Sequence, residues 1–350
     1  MQFEEGQREA AISTFRAIAK KEPLSAQAHK NLGKVLQASG HWLEAVEEYE
    51  IARKLDPNYA EAHASLGHAL VIALFLPETK NLSPEKKRET LDRGIEQFRE
   101  AIRLAPRNAK YHQLLADALY SRISTTQGIL FPERLCLEGR LSDRRVPSSE
   151  NMAGKNRKLL ERFRAWQEAQ EQEYAPDCDE AMTELRQAVT LDPSNPALRK
   201  ALGDRLGGEE KIAEYRTAVR LNPSDVYTRI DLGTLLLNEK DINGALAEFR
   251  AAVRIDPKNA KAHLRLGEAL EELGQMDKAI EEYRNSVDLG DIPSGPDLSY
   301  RVSVLSHALM QIGKRKEAVK VIHGYLKLEP EGGAMGEAFF RKRLQELDRE

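Results

Sequence analysis

Four of the chain's eight histidines, His29, His63, His112 and His263, are the first residues to weigh for chemistry. Histidine is the commonest metal ligand and a frequent acid–base catalyst. These four, however, occupy one position of a recurring pattern, and such regularity spreads them along the chain and argues for packing. His63 and His68 lie five apart where a zinc-protease helix needs four, and no acidic residue completes that motif. Gly154-Lys155-Asn156 has the form of the end of a phosphate-binding loop. Yet Ser149 stands where the first glycine is needed, Asn156 replaces Ser or Thr, and no strand precedes it. Neither a nucleophile elbow, nor a dinucleotide fingerprint, nor paired-cysteine metal spacing occurs. Carboxylate pairs are abundant, but they fall on charged helical stretches and read as solvated faces. Cys136 and Cys178 are too few for a disulfide framework and read as free thiols. The sequence thus offers no catalytic, cofactor-binding or metal-ligating residue, and it reads as that of a non-enzyme without a cofactor.

What would position any site is a phrase that recurs: Leu55-Asp56-Pro57-Asn58, Leu104-Ala105-Pro106-Arg107-Asn108, Leu191-Asp192-Pro193, Leu221-Asn222-Pro223 and Ile255-Asp256-Pro257. Each closes a repeat of about 34 residues. From Gly33 the spacing leads to Ala45, Tyr49, Ala52 and Pro57, and from Gly233 to Ala245, Phe249, Ala252 and Pro257. From Gly267 it leads to Ala279, Tyr283 and Ser286, with Asp291 in place of proline. Near the C-terminus Ser306 replaces the glycine, and Ala318, Ile322, Tyr325 and Pro330 keep the register. A glycine inside an amphipathic helix costs about 1 kcal/mol against alanine, which makes sense where a neighbouring helix must come close. The aromatics at Tyr49, Phe98, Tyr215, Phe249 and Tyr283 are expected to fill the space between helix pairs. Each proline disfavours helix in the residue before it and so ends the second helix.

This pattern resembles the tetratricopeptide repeat family, whose repeat has Leu-Gly in its first helix and spaced Ala, Tyr or Phe, Ala and Pro in its second. Leu32-Gly33, Leu66-Gly67, Leu202-Gly203, Leu232-Gly233 and Leu266-Gly267 carry the likeness. Where the family usually has Trp early in the first helix, this chain has the four periodic histidines. The resemblance implies an all-α fold, a right-handed α-solenoid of stacked antiparallel helix pairs, here with two insertions.

Organisation follows from where the phrase is early, late or missing. Residues 1–25 match a second helix only (Ala11, Phe15, Ile18, Pro23), so an upstream segment, or another molecule covering this exposed end, is expected. Residues 26–193 form N-terminal repeats with insertions at about 76–92 and 123–176. The first insertion follows an apolar run from Ala69 to Leu76, read as a first helix running past its usual length. Ser83-Pro84-Glu85 then reads as an N-cap with proline at the first helical position. The second brings an irregular loop over 123–154 and an extra helix over 155–174, with eight basic and three acidic residues between Arg140 and Arg164. Residues 196–223 form a shortened repeat and a possible bend, residues 226–330 the C-terminal repeats, and residues 334–350 a capping helix with Phe339, Phe340, Leu344 and Leu347 inward.

Net charge of −3 gives no general argument for nucleic acid, and no apolar run approaches the roughly 20 residues of a membrane span. A soluble protein is expected, in the cytoplasm unless a missing upstream segment carries an export signal.

In the family the first helices line a concave surface. The resemblance therefore places Lys30, Asn31 and Lys34, then Ser65 and His68, then Lys110 on that face. Farther along it places Lys200 and Asp204, Tyr227 and Asp231, and Lys261 and Arg265 there. Members that grip the C-terminal carboxylate of chaperone peptides use Lys and Asn, then Asn, then Lys and Arg on three successive first helices. Lys200, Lys261 and Arg265 match, but Asp204 and Asp231 stand where asparagines belong and would repel a carboxylate. In the N-terminal set Lys30 fits, while Lys34 and Ser65 replace the asparagines and Leu114 the arginine. A mixed-charge groove favours a polar, extended peptide. The expected function is a non-catalytic protein–protein interaction scaffold that binds a peptide or protein segment in this groove. The alternative is a substrate-recruiting or regulatory segment of a larger enzyme or assembly, glycosyltransferase-like, with the catalytic part absent from this chain. Aromatics at 6% and interspersed charge speak against a carbohydrate- or nucleic-acid-binding solenoid.

Overall fold

The computed structural model describes residues 5–125, 175–289, 296–328 and 334–349. The expected extra helix over 155–174, its basic stretch, most of the 123–154 loop, Gly154-Lys155-Asn156 and Cys136 lie outside these residues. The described residues are helical apart from turns, and they fall into two compact units, Met1–Lys211 and Ile212–Glu350.

The N-terminal unit begins with α1 (Glu5–Lys21), then α2 (Ala26–Ala38), α3 (Trp42–Leu55), α4 (Ala60–Ala73), α5 (Pro84–Leu104) and α6 (Ala109–Thr125). It continues with α7 (175–191) and α8 (Pro196–Asp204), and the boundary between units falls inside α9 (Gly208–Leu221). The C-terminal unit holds α10 (Val226–Asn238), α11 (Ile242–Ile255), α12 (Ala260–Glu272), α13 (Met276–Asp288), α14 (Pro296–Gln311), α15 (Arg315–Leu328) and α16 (Ala334–Arg349). Pairs α2/α3, α4/α5, α10/α11, α12/α13 and α14/α15 pack antiparallel, and α3, α5, α11 and α13 each pack on the first helix that follows.

The recurring phrase is a turn that is built twice over by its own side chains. Asp56 and Asp256 accept hydrogen bonds from the backbone N–H two residues on, at 3.0 and 3.1 Å. Asn195, Asp225 and Asn259 then cap the next helix by accepting from its first free N–H groups. The proline carbonyl at the heart of the turn is taken as well. His29 Nε2 lies 3.2 Å from the Pro23 carbonyl, His63 2.9 Å from Pro57, His112 2.9 Å from Pro106 and His263 3.0 Å from Pro257.

The other ring nitrogen of each histidine reaches the second helix of its own pair: Glu48 at 2.7 Å, Gln97 at 2.8 Å, Glu184, and Glu282 at 2.6 Å. Two other repeats put arginine at this position. Arg199 Nε donates to the Pro193 carbonyl at 3.3 Å; Arg229 donates to the Pro223 carbonyl and to Glu248. The periodic histidines are therefore buried packing groups, each with two acceptor oxygens in place. Bridge and acceptor are 19 residues apart in the repeats of His29, Arg229 and His263. They are 34 and 72 apart in those of His63 and His112, which is 15 and 53 more and measures the two insertions.

The glycines admit the second helix closely, as expected, but the aromatics pack elsewhere than expected. A Cβ on Gly33 would lie 2.7 Å from the Tyr49 ring, on Gly233 2.6 Å from Phe249, and on Gly267 2.5 Å from Tyr283. The aromatic thus fills the space within its own pair, lying on the glycine of the first helix, rather than the space between pairs. Ala45, Ala245, Ala279 and Ala318 are fully buried.

Three expectations are corrected here. Helix α4 does not run on toward Leu76. It ends at Ala73, because Leu76 precedes Pro77 and adopts the extended backbone that a following proline demands. The first insertion comprises a short 3-10 turn at Pro77–Thr79 and a lengthened α5 of 21 residues, with Ser83 capping Lys86 N–H as expected. The loop expected from residue 123 starts later, since α6 continues to Thr125 with Ile123 fully buried. In α16 Phe340 is buried but Phe339 is 55% exposed, so they do not share one inward face. The shortened repeat loses its residues from the first helix: α8 has 9 residues where α10 and α12 have 13.

Removing a bridge strands a proline carbonyl and a glutamate. His263→Ala should therefore lower the unfolding free energy by about 1–3 kcal/mol in a urea titration, whereas His263→Arg should keep most of it, as Arg229 does naturally. Equal losses in both variants would refute the bridging role. Lys240 occupies a left-handed corner (φ 65°) that Gly274 and Gly313 fill elsewhere. Lys240→Gly should raise stability by about 0.5–1 kcal/mol, because its 3.7 Å contact to Glu272 is exposed and worth little.

Candidate functional site

The first helices α2, α4 and α6 pack side by side in the N-terminal unit, as α10 and α12 do in the C-terminal unit. Lys34 and Lys110 are exposed, and Asn31, Ser65 and His68 are half-buried. Lys30 is not available in the same way. It is buried, with Nζ 3.0 Å from Glu61 and 5.7 Å from the centre of the Tyr59 ring. Burial works against its charge, yet the bonds to Glu61 and Tyr59 outweigh it and raise the ammonium pKa above the ordinary lysine value. Asn31 accepts from Gln27 at 2.9 Å, and Lys110 donates to Gln113 at 3.2 Å.

His68 sits beside the Trp42 ring, centroids 5.9 Å apart, and 3.4 Å from the Gln37 amide. Burial, and then the charge of Lys110, push its pKa below 6.5, so the folded protein holds it neutral. At the end of this unit Lys200 and Asp204, on α8, lie 3.9 Å apart.

In the C-terminal unit each candidate base already faces an acid of the chain itself. Lys261 Nζ is 4.0 Å from Asp231, and Arg265 donates to Glu268 at 2.7 Å. Tyr227 projects from α10 with 63% of its surface exposed.

Several contributors were not singled out from the sequence. Tyr300, 53% exposed on α14, donates to Glu268 at 3.3 Å. The signal existed, for Tyr300 lies six residues before Ser306 as Tyr227 and Lys261 lie six before Gly233 and Gly267. Arg205 stacks over the Tyr120 ring at 4.2 Å, and the nearby Asp117 carboxyl is raised above its usual range by burial, against the pull of Arg205 and Lys110. Arg122 donates to Asp177 at 2.6 Å and to Asp92 at 2.9 Å, pinning the start of α7 to α6 and α5. These depend on which side chains the two insertions bring together, which no spacing rule contains. Cys178, buried on α7, is disulfide-bonded, contrary to the free thiol expected; Cys136 is the chain's other cysteine. Among the described residues no three His, Cys, Asp or Glu side chains gather to hold a metal. Nor is any of their helices long and apolar enough to cross a membrane.

Antiparallel helix pairs in series, several of them clamped by a His or Arg bridge, define a helix-repeat protein that works through its surface. The particular repeat is the tetratricopeptide repeat. Models of that family match residues 26–59, and residues 212–260 and 230–291. Those stretches of the chain carry tetratricopeptide repeats. No curated protein matches it in sequence.

Among solved structures it is similar to the C-terminal part of a TPR repeat-containing protein from Cytophaga hutchinsonii. That likeness has 10% identity and a TM-score of 0.56, and covers 86% of this chain and 96% of that one. It is a likeness of fold. YrrB, described as a TPR protein with an unusual peptide-binding site, matches at 17% identity and TM-score 0.33, over 79% of this chain and 91% of its own. MamA from Desulfovibrio magneticus RS-1 matches at 22% identity and TM-score 0.38, over 43% and 85%.

His68 provides a pH test of this surface. Its pKa is lower folded than unfolded, so the unfolded chain takes the proton more readily and stability is lost as pH falls below about 6.5. Thermal melts of His68→Gln between pH 7.5 and pH 5 should show a shallower decline than wild type. An unchanged slope would show that His68 does not titrate differently on folding.

Proposed function

We propose that this chain is a non-catalytic protein-interaction scaffold, and that the first-helix face of its C-terminal unit receives a polar, extended segment of a partner. The observation that carries this reading is the row formed by α10 and α12, where exposed Tyr227 stands beside the spaced pairs Lys261–Asp231 and Arg265–Glu268. A peptide backbone carries donors and acceptors in alternation, and such a surface offers both. Its charges are already balanced, which disfavours a bare carboxylate at this place and favours amides and mixed side chains. Tyrosine adds broad contact area at low entropic cost. In the N-terminal unit Lys30 is held by Glu61, so the corresponding contacts there fall to Asn31, Lys34, Ser65 and Lys110.

Reversing Lys261 and Arg265 together to glutamate should weaken capture of the native partner by tenfold or more, with helicity and melting temperature little changed. Affinity capture followed by quantitative mass spectrometry reads this directly. Undiminished capture by a folded double variant would remove the C-terminal face as the binding surface.

A further inference from the structure

Roughly half a turn around α14 from Tyr300, Leu298, Val302 and Leu305 form the floor of a groove of about 940 Å³. Val287 on α13 and Val321 and Tyr325 on α15 make its apolar sides. The repeat register accounts for it. Val302 stands four residues before Ser306 as His263 stands four before Gly267, and Val321 stands at the position of Glu282. The repeat of α14 and α15 thus has two valines where the preceding one has its polar bridge. At the matching place one repeat earlier, Arg250, Val253, Leu266 and Glu282 line a space of about 310 Å³. Smaller, apolar side chains at both bridge positions widen the groove and take the polarity out of its floor.

A glycine opens it further. Gly33, Gly233 and Gly267 each lie under an aromatic ring. A Cβ on Gly67 would lie 2.9 Å from the Gly94 carbonyl oxygen, and one on Gly94 3.2 Å from that of Gly67, so α4 and α5 touch there. At these five positions a helical glycine admits a ring or a second helix. Gly324, in the middle of α15 and lining the groove, has nothing within 4 Å of where its Cβ would stand. A mid-helix glycine costs about 1 kcal/mol against alanine, and no neighbour among the described residues makes use of this one.

The charges of the rim are unevenly matched. Arg284 pairs with Glu317 and joins α13 to the start of α15. Lys320 and Lys327 are exposed on α15 on either side of Gly324, seven residues or two helical turns apart. Neither makes an ion pair among the described residues. The opposite wall carries Asp288. An occupant that is acidic along α15 and apolar toward α14 is therefore the complementary one.

We propose that this groove receives an amphipathic helix of a partner protein. Its apolar side chains rest on Val302 and Val321, its backbone passes close over Gly324, and acidic residues two turns apart meet Lys320 and Lys327. The proposal does not rest on the row of α10 and α12. It gives the scaffold a second docking face, built from the second helices.

The test is fluorescence anisotropy with the full chain and labelled alanine–glutamine helical peptides. One has leucines at i, i+3, i+4 and i+7 and two glutamates seven residues apart on one flank. In a second the glutamates are lysines, and a third keeps the glutamates but scatters the leucines around the helix. Tighter binding of the first than of both others is expected. Gly324→Leu fills the space over α15 without harming the helix. It should melt no lower than wild type, yet weaken the first peptide by about tenfold or more. Lys320→Glu with Lys327→Glu should weaken the first peptide and favour the second, and this pair stands should Gly324→Leu not fold by circular dichroism. Equal binding of the first two peptides, no binding of any, or indifference of the first to Gly324→Leu overturns the proposal. A dimer in sedimentation velocity that Gly324→Leu dissociates overturns it too, because the occupant is then a second copy. Loss on Lys261→Glu/Arg265→Glu with none on Gly324→Leu places the peptide on the first-helix row, which sinks this groove and spares the scaffold function.

Discussion

A repeat protein has no single core to close around, so each pair must be fastened to the turn that precedes it. In this chain the fastening is a buried polar side chain, His or Arg, held between a proline carbonyl and an acceptor on the second helix of its pair. The proline that stops one helix leaves its carbonyl without a helical partner, and an acidic or amide side chain has been brought into a low-dielectric layer. Either would be costly unpaired. One bridging residue satisfies both, and in doing so sets the distance between a turn and the helix above it.

That bridge explains how the repeats tolerate such unequal lengths. Extra residues before α5, and those between α6 and α7, separate the bridge from its acceptor in sequence, yet His63 still meets Gln97 and His112 still meets Glu184. Loop closure grows costlier only slowly with length, so an insertion is accepted as long as the acceptor returns to the same place. In the longer case Arg122 and Asp177 secure the return. The aromatic-on-glycine contact does the complementary task inside each pair, since a methyl group at Gly233 or Gly267 would run into the ring that the second helix lays there.

The same economy shapes the surface. First helices spend their buried side on these contacts and leave a polar row facing outward, where charges neutralise one another along α10 and α12. Function in such a protein lies in how that outward row departs from uniformity.

The repeat period, the glycine and alanine positions, the cap at Ser83 and the sizes of both insertions were all legible in the sequence, because each is a local rule about helix geometry or a count of residues. The alternation of helix and turn needed nothing more. What the amino-acid order could not show was partnership. Lys30 reads as an open groove base, and only packing reveals Glu61 beside it. The histidines show their period in the sequence, but the proline carbonyl and glutamate that they join are visible only in three dimensions. Phe339 and Phe340 stand about 100° apart around the helix, and only packing shows that Phe340 is the one buried against Tyr325 while Phe339 faces solvent. The sequence by itself determined the helices and their serial order, through backbone preferences acting over a few residues. The tertiary structure alone decided which charges are spent on the fold and which remain for a partner, because that depends on distances between residues far apart in the chain.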